Sequence, residues 1–189
     1  SIYEFAENEI IIQSGPLQGH NYRNELSPIS QHLWPILFAP DLTRYDTIVL
    51  TGPSQCGKTL STLIPMVYIL TVLGESVIFA APNLLIVTDK WQTEMFPFLR
   101  SSNYLRSYLL DRKADTAPKL STTNSYIFTN GSALRLLSTQ ATDRSKSSYT
   151  SRSIFITEFG GVRTVSTSEE ADPIKQLKAR CRSYTNVGY

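Results

Sequence analysis

The sequence is poor in cysteine, and its two cysteines, Cys56 and Cys181, are too few for a disulfide scaffold. A reducing, intracellular setting is therefore expected. Glycine and proline, at 9 and 10 residues, are not enriched, which excludes collagen-like and low-complexity chains. Charged residues make up 18% of the chain against 41% hydrophobic residues, a balance that excludes intrinsic disorder. At 189 residues, the chain has the length of one α/β domain.

Long apolar runs are also missing. The longest run covers residues 60–73 and is interrupted by Ser61, Thr62, Pro65 and Thr71. A helix needs about 20 apolar residues to cross a bilayer, so we interpret this run as a buried helix and expect no membrane association. No basic-then-apolar leader marks a secretory signal, which agrees with an expected location in the cytoplasm.

Charge is divided unevenly along the chain. Residues 1–99 hold four Lys and Arg against nine Asp and Glu, a sum of −5, whereas residues 100–189 hold fourteen against seven, a sum of +7. A basic half of this kind can face a polyanion such as nucleic acid, and it can equally be a solvated surface. Charge alone leaves both interpretations open.

The chain has no internal repeat and no linker-like segment. The pattern therefore predicts one domain over residues 29–189, preceded by an irregular N-terminal arm over residues 1–28. Apolar residues recur at helical spacing over residues 29–38, where Pro35 either limits the helix or sits in its first turn.

Strand and helix patterns alternate in the first half of the chain. Residues 47–51 and 76–81 are short, apolar and partly β-branched, which is typical of strands covered on both faces. A helical pattern over residues 57–73 separates them, and Asn83 can cap a second helix that extends to about Arg100. This βαβ order predicts an α/β fold with a mostly parallel sheet and flanking helices.

The second half begins with a hairpin signal. Asn130 and Gly131 lie between alternating segments at residues 125–129 and 133–138. This dipeptide is favoured in tight turns between antiparallel strands, so we expect a hairpin here.

A further strand and helix follow the hairpin. Residues 154–156 form a third buried-strand pattern. Asp172 and Pro173 can open a helix that continues through Arg182, with acids at its start and bases toward its end. That charge order suits the helix dipole.

A phosphate-loop motif stands between the first predicted strand and the helix that follows it. Its residues are Gly52, Pro53, Ser54, Gln55, Cys56, Gly57, Lys58 and Thr59, which match G-x-x-x-x-G-K-[ST] in full. The glycines let backbone N–H groups point inward at phosphate oxygens, and the next helix adds its positive end. Lys58 is expected to reach the β- and γ-phosphates, and the Thr59 hydroxyl to ligate Mg²⁺. The alternative, a chance turn with a surface lysine, fits the flanking pattern poorly.

Nucleotide hydrolysis also needs a carboxylate at the end of a neighbouring strand. Glu158 follows the predicted strand at residues 154–156 and is the candidate catalytic base, with a further possible role toward the metal. In the commonest version of this strand end an Asp precedes the Glu, but here that position is Thr157. The metal shell is therefore expected to lack one charge. An ordinary acidic residue at a strand end is the alternative interpretation.

Three cations lie shortly before this acidic strand end. Arg144, Lys146 and Arg152 belong to a Ser-rich segment, where a cation can stabilise transferring phosphate in its own subunit or in a neighbouring one. For each of them, solvated loop charge is the simpler interpretation.

Other reactive or aromatic residues carry weaker signals. His20 and His32 have no zinc-like spacing with each other or with the cysteines, so no zinc site is predicted. Cys56 has no adjacent base in sequence, and its backbone is expected to matter more than its thiol. Trp34 and Trp91 are interpreted as core or helix-packing residues rather than as base-stacking platforms.

Taken in order, these segments resemble the ATPase domain of tailed-phage terminase large subunits, in the lambda-like branch. The resemblance covers about residues 27–189 and depends on the combination of motifs, since the phosphate loop alone is shared by many enzymes. The segments are the phosphate loop, residues 79–83 opening a long helix, residues 130–132, residues 156–158, and residues 171–174 leading to residues 177–182.

The resemblance implies a P-loop NTPase of the additional-strand type, similar to RecA and helicases. It implies an ATP hydrolase that uses ATP and Mg²⁺ to pump double-stranded viral DNA into a capsid, inside a host cell. The implied partners are a terminase small subunit, a portal protein and other copies in a homo-oligomeric ring. Related motors place an adenine-reading glutamine some twenty residues before the phosphate loop, where this chain has Gln31.

Two departures from the family pattern affect the expected activity. Thr157 replaces the expected Asp, which weakens the predicted Mg²⁺ support. The family also continues into a strand with a coupling motif and then a nuclease domain, and this chain stops about where that strand begins. We therefore expect a truncated ATPase domain that binds nucleotide, hydrolyses it weakly in isolation and does not cut DNA.

Two other functions fit parts of the same pattern. A helicase-like translocase shares the parallel sheet and the acidic strand end. A nucleotide-binding domain with weakened hydrolysis is favoured by Thr157.

Overall fold

A computed structural model describes residues 1–38, 47–53, 56–109, 124–140, 151–158 and 173–178. The α-helices in these ranges are α1 (Ile2–Glu9), α2 (Pro28–Leu37), α3 (Lys58–Thr71), α4 (Leu84–Lys90), α5 (Phe96–Ser101), α6 (Asn103–Arg106) and α7 (Pro173–Lys178). A 3₁₀ helix lies at Asn24–Leu26 and a π-helical turn at Trp91–Met95. The strands are β1 (Val77–Ala81), β2 (Ser125–Ile127), β3 (Ala133–Ser138) and β4 (Ser153–Ile156).

The four described strands form one sheet in the order β2-β3-β1-β4. β1 pairs in parallel with β3 on one side and β4 on the other, so that Phe79 lies opposite Leu136 and Phe155. β2 runs antiparallel to β3 at the edge. All five residues of β1 are buried, as expected for a strand covered on both faces. The prediction of an α/β fold with a mostly parallel sheet is confirmed.

Helices cover both faces of the sheet. Side chains alternate between the two faces along a strand. Phe79 belongs to the larger core cluster, which also contains the buried side of α3. Ile78 and Ala80 point the other way and form a smaller cluster with Leu177 of α7. The phosphate-loop helix and the last described helix therefore lie on opposite faces.

The helix predicted over residues 57–73 is confirmed as α3, and the predicted hairpin is confirmed as β2 and β3. The two elements are joined at the end of α3. Asn130 Nδ2 and Ser132 Oγ each donate a hydrogen bond to the Leu70 carbonyl, at 2.8 Å. Gly131 makes the turn with a φ of 85°, in the left-handed region that glycine adopts without strain.

The predicted helix cap at Asn83 is also confirmed. Its Oδ1 accepts a hydrogen bond from the Ile86 N–H at 2.9 Å. The helical run continues from α4 through the π-helical turn into α5. Pro97 has no N–H to donate, and just before it the ladder shifts register, with the Phe96 N–H donating to the Trp91 carbonyl five residues back.

The helix predicted over residues 29–38 is α2, which begins one residue earlier, with Pro28 in its first turn. Pro35 lies inside the helix near its end rather than in its first turn, and α2 ends at Leu37. The alternative that places Pro35 in the first turn is therefore wrong, and α2 continues for two residues beyond the proline.

The prediction of an irregular arm is wrong for its first residues, which form α1. The Ser1 hydroxyl accepts from the Glu4 N–H at 3.3 Å, and the Glu4 side chain returns to the Ser1 backbone in a capping box. The Phe5 ring packs edge-on against Tyr68 of α3, with ring centroids 5.2 Å apart. The buried residues of α1 are Ile2, Phe5 and Ala6, and they join the larger core cluster.

The prediction of a strand at residues 47–51 is also wrong. Within the described ranges this segment forms no strand, and Val49 is 65% exposed. A strand needs a neighbour for its N–H and C=O groups, and in the described part of the sheet β4 pairs with β1 alone. Apolar, β-branched composition indicates a propensity, but it does not supply a pairing partner.

The third predicted strand is confirmed as β4, although its residues are half-buried rather than buried. The helix after Pro173 is confirmed as far as Lys178. The expected cap at Asp172 and the continuation to Arg182 lie outside the described residues. No helix in the described ranges is both long and apolar enough to span a membrane.

Candidate functional site

The carboxyl ends of β1, β3 and β4 meet at one edge of the sheet, because the three strands are parallel. Ligands of open α/β sheets bind outside this edge. Here β1 leads through Pro82 into α4, β3 ends beside Thr139, and β4 leads to Glu158. The backbone keeps the strand ends together, since Thr139 and Thr157 donate to the carbonyls of Ala81 and Ala80 at 2.8 and 2.9 Å.

The direction of α3 brings the phosphate loop to the same edge. The last turn of α3 is held by Asn130 and Ser132, which lie just before β3 and so at the amino-terminal edge. The 14 residues of α3 span about 21 Å, enough to cross a strand the length of β1, about 17 Å. We infer that Lys58, at the start of α3, lies toward the carboxyl edge.

The described residues of the phosphate loop contact the ammonium of Lys58. Its Nζ donates to the carbonyl of Gly52 at 2.9 Å and to that of Pro53, and lies 3.3 Å from the Cys56 sulfur. Gly57 has a φ of 85°, which lets the chain turn directly into α3. Ser54 and Gln55, also predicted to bind phosphate, lie outside the described residues.

The helix start supplies further groups suited to an anion. Gly57 caps α3 without a side chain, and the first intrahelical bond is donated by Ser61 to the Gly57 carbonyl at 3.0 Å. The N–H groups before Ser61 therefore have no partner within the helix, and the helix dipole makes this end positive. Thr59 is in the first turn and partly buried, at the position from which a hydroxyl reaches a phosphate-bound metal.

Glu158 combines exposure with an unusual backbone. Its φ is 53°, the left-handed region that non-glycine residues rarely adopt. Its side chain is 58% exposed, and one carboxylate oxygen lies 3.6 Å from Lys90 Nζ. A carboxylate that is accessible to water at the carboxyl edge can act as a base toward a bound substrate.

The weaker sequence candidates lie apart from this group or outside the described residues. Arg152 precedes β4, at the amino-terminal edge, and pairs with Glu75 at 2.9 Å. Gln31 lies in α2 and donates to the Asn24 carbonyl at 2.9 Å. Arg144 and Lys146 lie outside the described residues.

Both tryptophans are core residues, as predicted. Trp34 is fully buried and donates to the Ser61 carbonyl at 2.9 Å, which ties α2 to the first turns of α3. Trp91 is 1% exposed and packs against Tyr126 with centroids 4.3 Å apart. Neither presents a face on which a base can stack.

The donor set fits Mg²⁺ held mainly by a nucleotide rather than by a cage of protein ligands. Among the described residues, no group of three or more His, Cys, Asp or Glu side chains is placed to hold a metal ion. Mg²⁺ commonly takes one or two protein oxygens and completes its shell with phosphates and water. The Thr59 hydroxyl can supply one such oxygen, and Glu158 a second if the inferred direction of α3 brings the two to the same edge.

Sequence reasoning missed Lys90 as part of this site. Lys90 and Glu94 have the i, i+4 spacing of an ordinary exposed helix pair, and nothing in the sequence places them near Glu158. The contact between Lys90 and Glu158 can be predicted only from the sheet topology, because α4 starts at the edge where β4 ends.

Comparison with known proteins gives one result. The family model for the phage terminase large subunit gpA, ATPase domain, matches residues 19–188. No curated protein sequence and no solved structure gives a significant match.

Proposed function

Because the chain belongs to the ATPase-domain family of the phage terminase large subunit gpA, we propose that it hydrolyses ATP to drive double-stranded DNA into a capsid. Membership of this family shows, in general terms, that the chain is an ATP-hydrolysing, nucleotide-binding domain of the packaging machinery. The observation that most supports the finer proposal is that Lys58, at the start of α3, donates to the carbonyl of Gly52 in the phosphate-loop motif. The inferred direction of α3 adds that this helix start lies toward the edge that carries Glu158.

Lys58 is proposed to bind the β- and γ-phosphates. Its ammonium already lies inside the loop, where it donates to the Gly52 and Pro53 carbonyls. Phosphate oxygens are stronger acceptors for an ammonium than neutral carbonyls, so binding of a triphosphate redirects the side chain without rebuilding the loop. The N–H groups of the loop and of the first turn of α3 complete an anion cradle.

Mg²⁺, when bound, neutralises charge on the β- and γ-phosphates. The Thr59 hydroxyl is proposed to hold it, and Glu158 is a possible further ligand. Glu158 is proposed above all to orient and deprotonate the attacking water. Thr157 stands where a second acid would support the metal, and slow turnover in isolation follows from that missing charge.

DNA translocation requires further partners, which the family implies: DNA, a portal, a small subunit and other copies of the chain. The excess of cations after residue 100 supports contact with DNA phosphates, and such binding weakens steeply with salt. A ring of copies at the portal, loaded through the small subunit, would place each site beside a neighbour. Arg144 and Arg152 are then candidates for a cation supplied across that boundary.

The test is ATP hydrolysis by the full-length protein, with and without DNA and portal. Lys58→Ala should abolish turnover, since it removes the charge that binds the β- and γ-phosphates. Arg23→Ala is a suitable control, because it breaks an exposed ion pair with Glu25 in the N-terminal region. Turnover that survives in Lys58→Ala, or that DNA and portal never stimulate, contradicts the proposal.

Thr157 supports one second function, that of a nucleotide-binding domain with weakened hydrolysis. The same assay separates the two. Mg-ATP binding that depends on Lys58, without turnover in the presence of DNA and portal, favours the binding domain over the motor.

A further inference from the structure

Lys90 connects helix α4 to the candidate base. Its Nζ lies 3.6 Å from Glu158 Oε1 and 3.7 Å from Glu94 Oε1. α4 packs on both β1 and β3, so its position relative to the sheet is fixed by the core. Lys90, at the end of α4, therefore presents a cation to Glu158 from a rigid element.

The exposed fractions of the side chains show that Lys90 is the least mobile member of these ion pairs. The Lys90 side chain is 16% exposed, whereas those of Glu158 and Glu94 are 58% and 39% exposed. A lysine stem packed in this way restricts the reach of its ammonium. The exposed carboxylates have more freedom, so Lys90 limits where the Glu158 carboxylate can go.

The contacts are ion pairs and not locked hydrogen bonds. Both distances exceed the usual hydrogen-bond range, so the carboxylate can turn while it stays near the cation. The backbone of Glu158 adds the other restriction, since its φ of 53° sets the direction in which the side chain leaves the chain. Strained backbone of this kind persists where the surrounding structure holds it, and it is concentrated at functional sites.

We propose that Lys90 is a positioning residue that orients the Glu158 carboxylate toward the attacking water. The inference rests on the proposed role of Glu158 as the base. Lys90 itself touches neither phosphate nor water in this scheme. It acts by keeping the carboxylate within the narrow range of positions from which proton transfer is fast, and small misplacements of a catalytic group are costly.

The experiment compares kcat and KM for Mg-ATP in the full-length protein with DNA and portal. Lys90→Met should lower kcat by roughly 10- to 100-fold with KM unchanged, because orientation is lost while nucleotide binding is kept. Lys90→Arg should restore most of the activity. Glu94→Gln is the matched control, since it removes the other partner of Lys90 and keeps the contact with Glu158.

A double variant provides the decisive comparison. In a Glu158→Gln background, Lys90→Met should cause no further loss, because residues that act as a unit are not additive. Turnover is expressed per Mg-ATP site titrated in the same sample, so that unfolded protein does not imitate a catalytic defect.

Three results overturn the inference: an unchanged kcat in Lys90→Met, a full further loss in the Glu158→Gln background, or a rise in KM alone. The last would make Lys90 a direct nucleotide ligand. If Glu158→Gln itself retains turnover, the proposed base is wrong, and that failure is distinct from a failure of Lys90 alone.

Discussion

The two edges of the sheet are built differently. At the amino-terminal edge, several described side chains form short hydrogen bonds between the elements. Ser151 Oγ donates to the Ser76 carbonyl at 2.7 Å, and the Ala133 N–H donates to Ser76 Oγ at 3.0 Å. Arg152 and Glu75 add an ion pair at 2.9 Å. This edge holds the ends of α3 and the starts of the strands in fixed positions.

At the carboxyl edge the polar groups are held loosely. Glu158 is exposed, has a left-handed backbone and is paired with Lys90 beyond hydrogen-bond distance. The Lys58 ammonium is satisfied by loop carbonyls that a phosphate can replace. We propose that the carboxyl edge, with its loosely paired charges, serves catalysis, and that the hydrogen bonds of the amino-terminal edge serve stability. Substitutions at the carboxyl edge should therefore lower turnover and leave the free energy of unfolding unchanged. Substitutions at the amino-terminal edge should lower the free energy of unfolding and leave turnover unchanged.

Outside the phosphate loop, the largest expected effect is that of Glu158→Gln on turnover. Loss of a general base lowers kcat by about 10²- to 10⁴-fold, which corresponds to about 2.7–5.4 kcal/mol on the barrier. Because Glu158 is exposed, the melting temperature should not fall. The measurement is steady-state ATP hydrolysis beside thermal unfolding. A Glu158→Gln variant that melts at a lower temperature but keeps its kcat would show that the carboxyl edge serves stability rather than catalysis.

An intermediate effect is expected for Ser132→Ala at the amino-terminal edge. Ser132 is 2% exposed and donates to the Leu70 carbonyl, which keeps a second donor in Asn130. The net loss is about 1 kcal/mol in the free energy of unfolding, or about 2–4 °C in Tm. Turnover per folded molecule should be unchanged. An altered KM for Mg-ATP with an unchanged Tm would show that this edge takes part in the chemistry.

The sequence predicted the elements that depend on neighbouring residues. The Asn83 cap and the Asn130-Gly131 turn each carry their own local chemistry, and the structure places both in the expected element. The phosphate loop leads into the predicted helix, but the strand predicted before it is absent from the described residues. The strands at 77–81 and 153–156 were recognisable from the apolar runs at residues 76–81 and 154–156, although only the first is fully buried and the second is half-buried. The family resemblance then agreed with a match over most of the chain.

Two of the three errors come from interactions that the sequence does not display locally, and the third from a local signal that was overlooked. The segment at residues 47–51 looks like a strand, but pairing depends on a partner elsewhere in the chain. The α1 helix had a usable signal, the Ser1 and Glu4 capping box with apolar residues after it, and the surrounding turn formers obscured it. The contact of Lys90 with Glu158 joins residues 68 positions apart. Only the sheet topology brings them together.

The smallest expected effect is that of Arg152→Met. Its pair with Glu75 is partly exposed on both sides and contributes about 1 kcal/mol or less. Glu75→Gln is the matched control, because it breaks the same pair and keeps the arginine. Both variants should lower Tm slightly and equally, and neither should change Mg-ATP affinity. A loss of turnover in the assembled motor for Arg152→Met alone would instead show that Arg152 serves a neighbouring site.

Calorimetric titration of the protein with Mg-ATP tests the central claim most directly. We expect one saturable site per chain, abolished by Lys58→Ala and retained by Glu158→Gln. At about 100 times the dissociation constant, the nucleotide should add about 2.7 kcal/mol to the free energy of unfolding. No heat of binding in the wild type, or binding that Lys58→Ala leaves intact, would contradict a phosphate-binding loop at the start of α3.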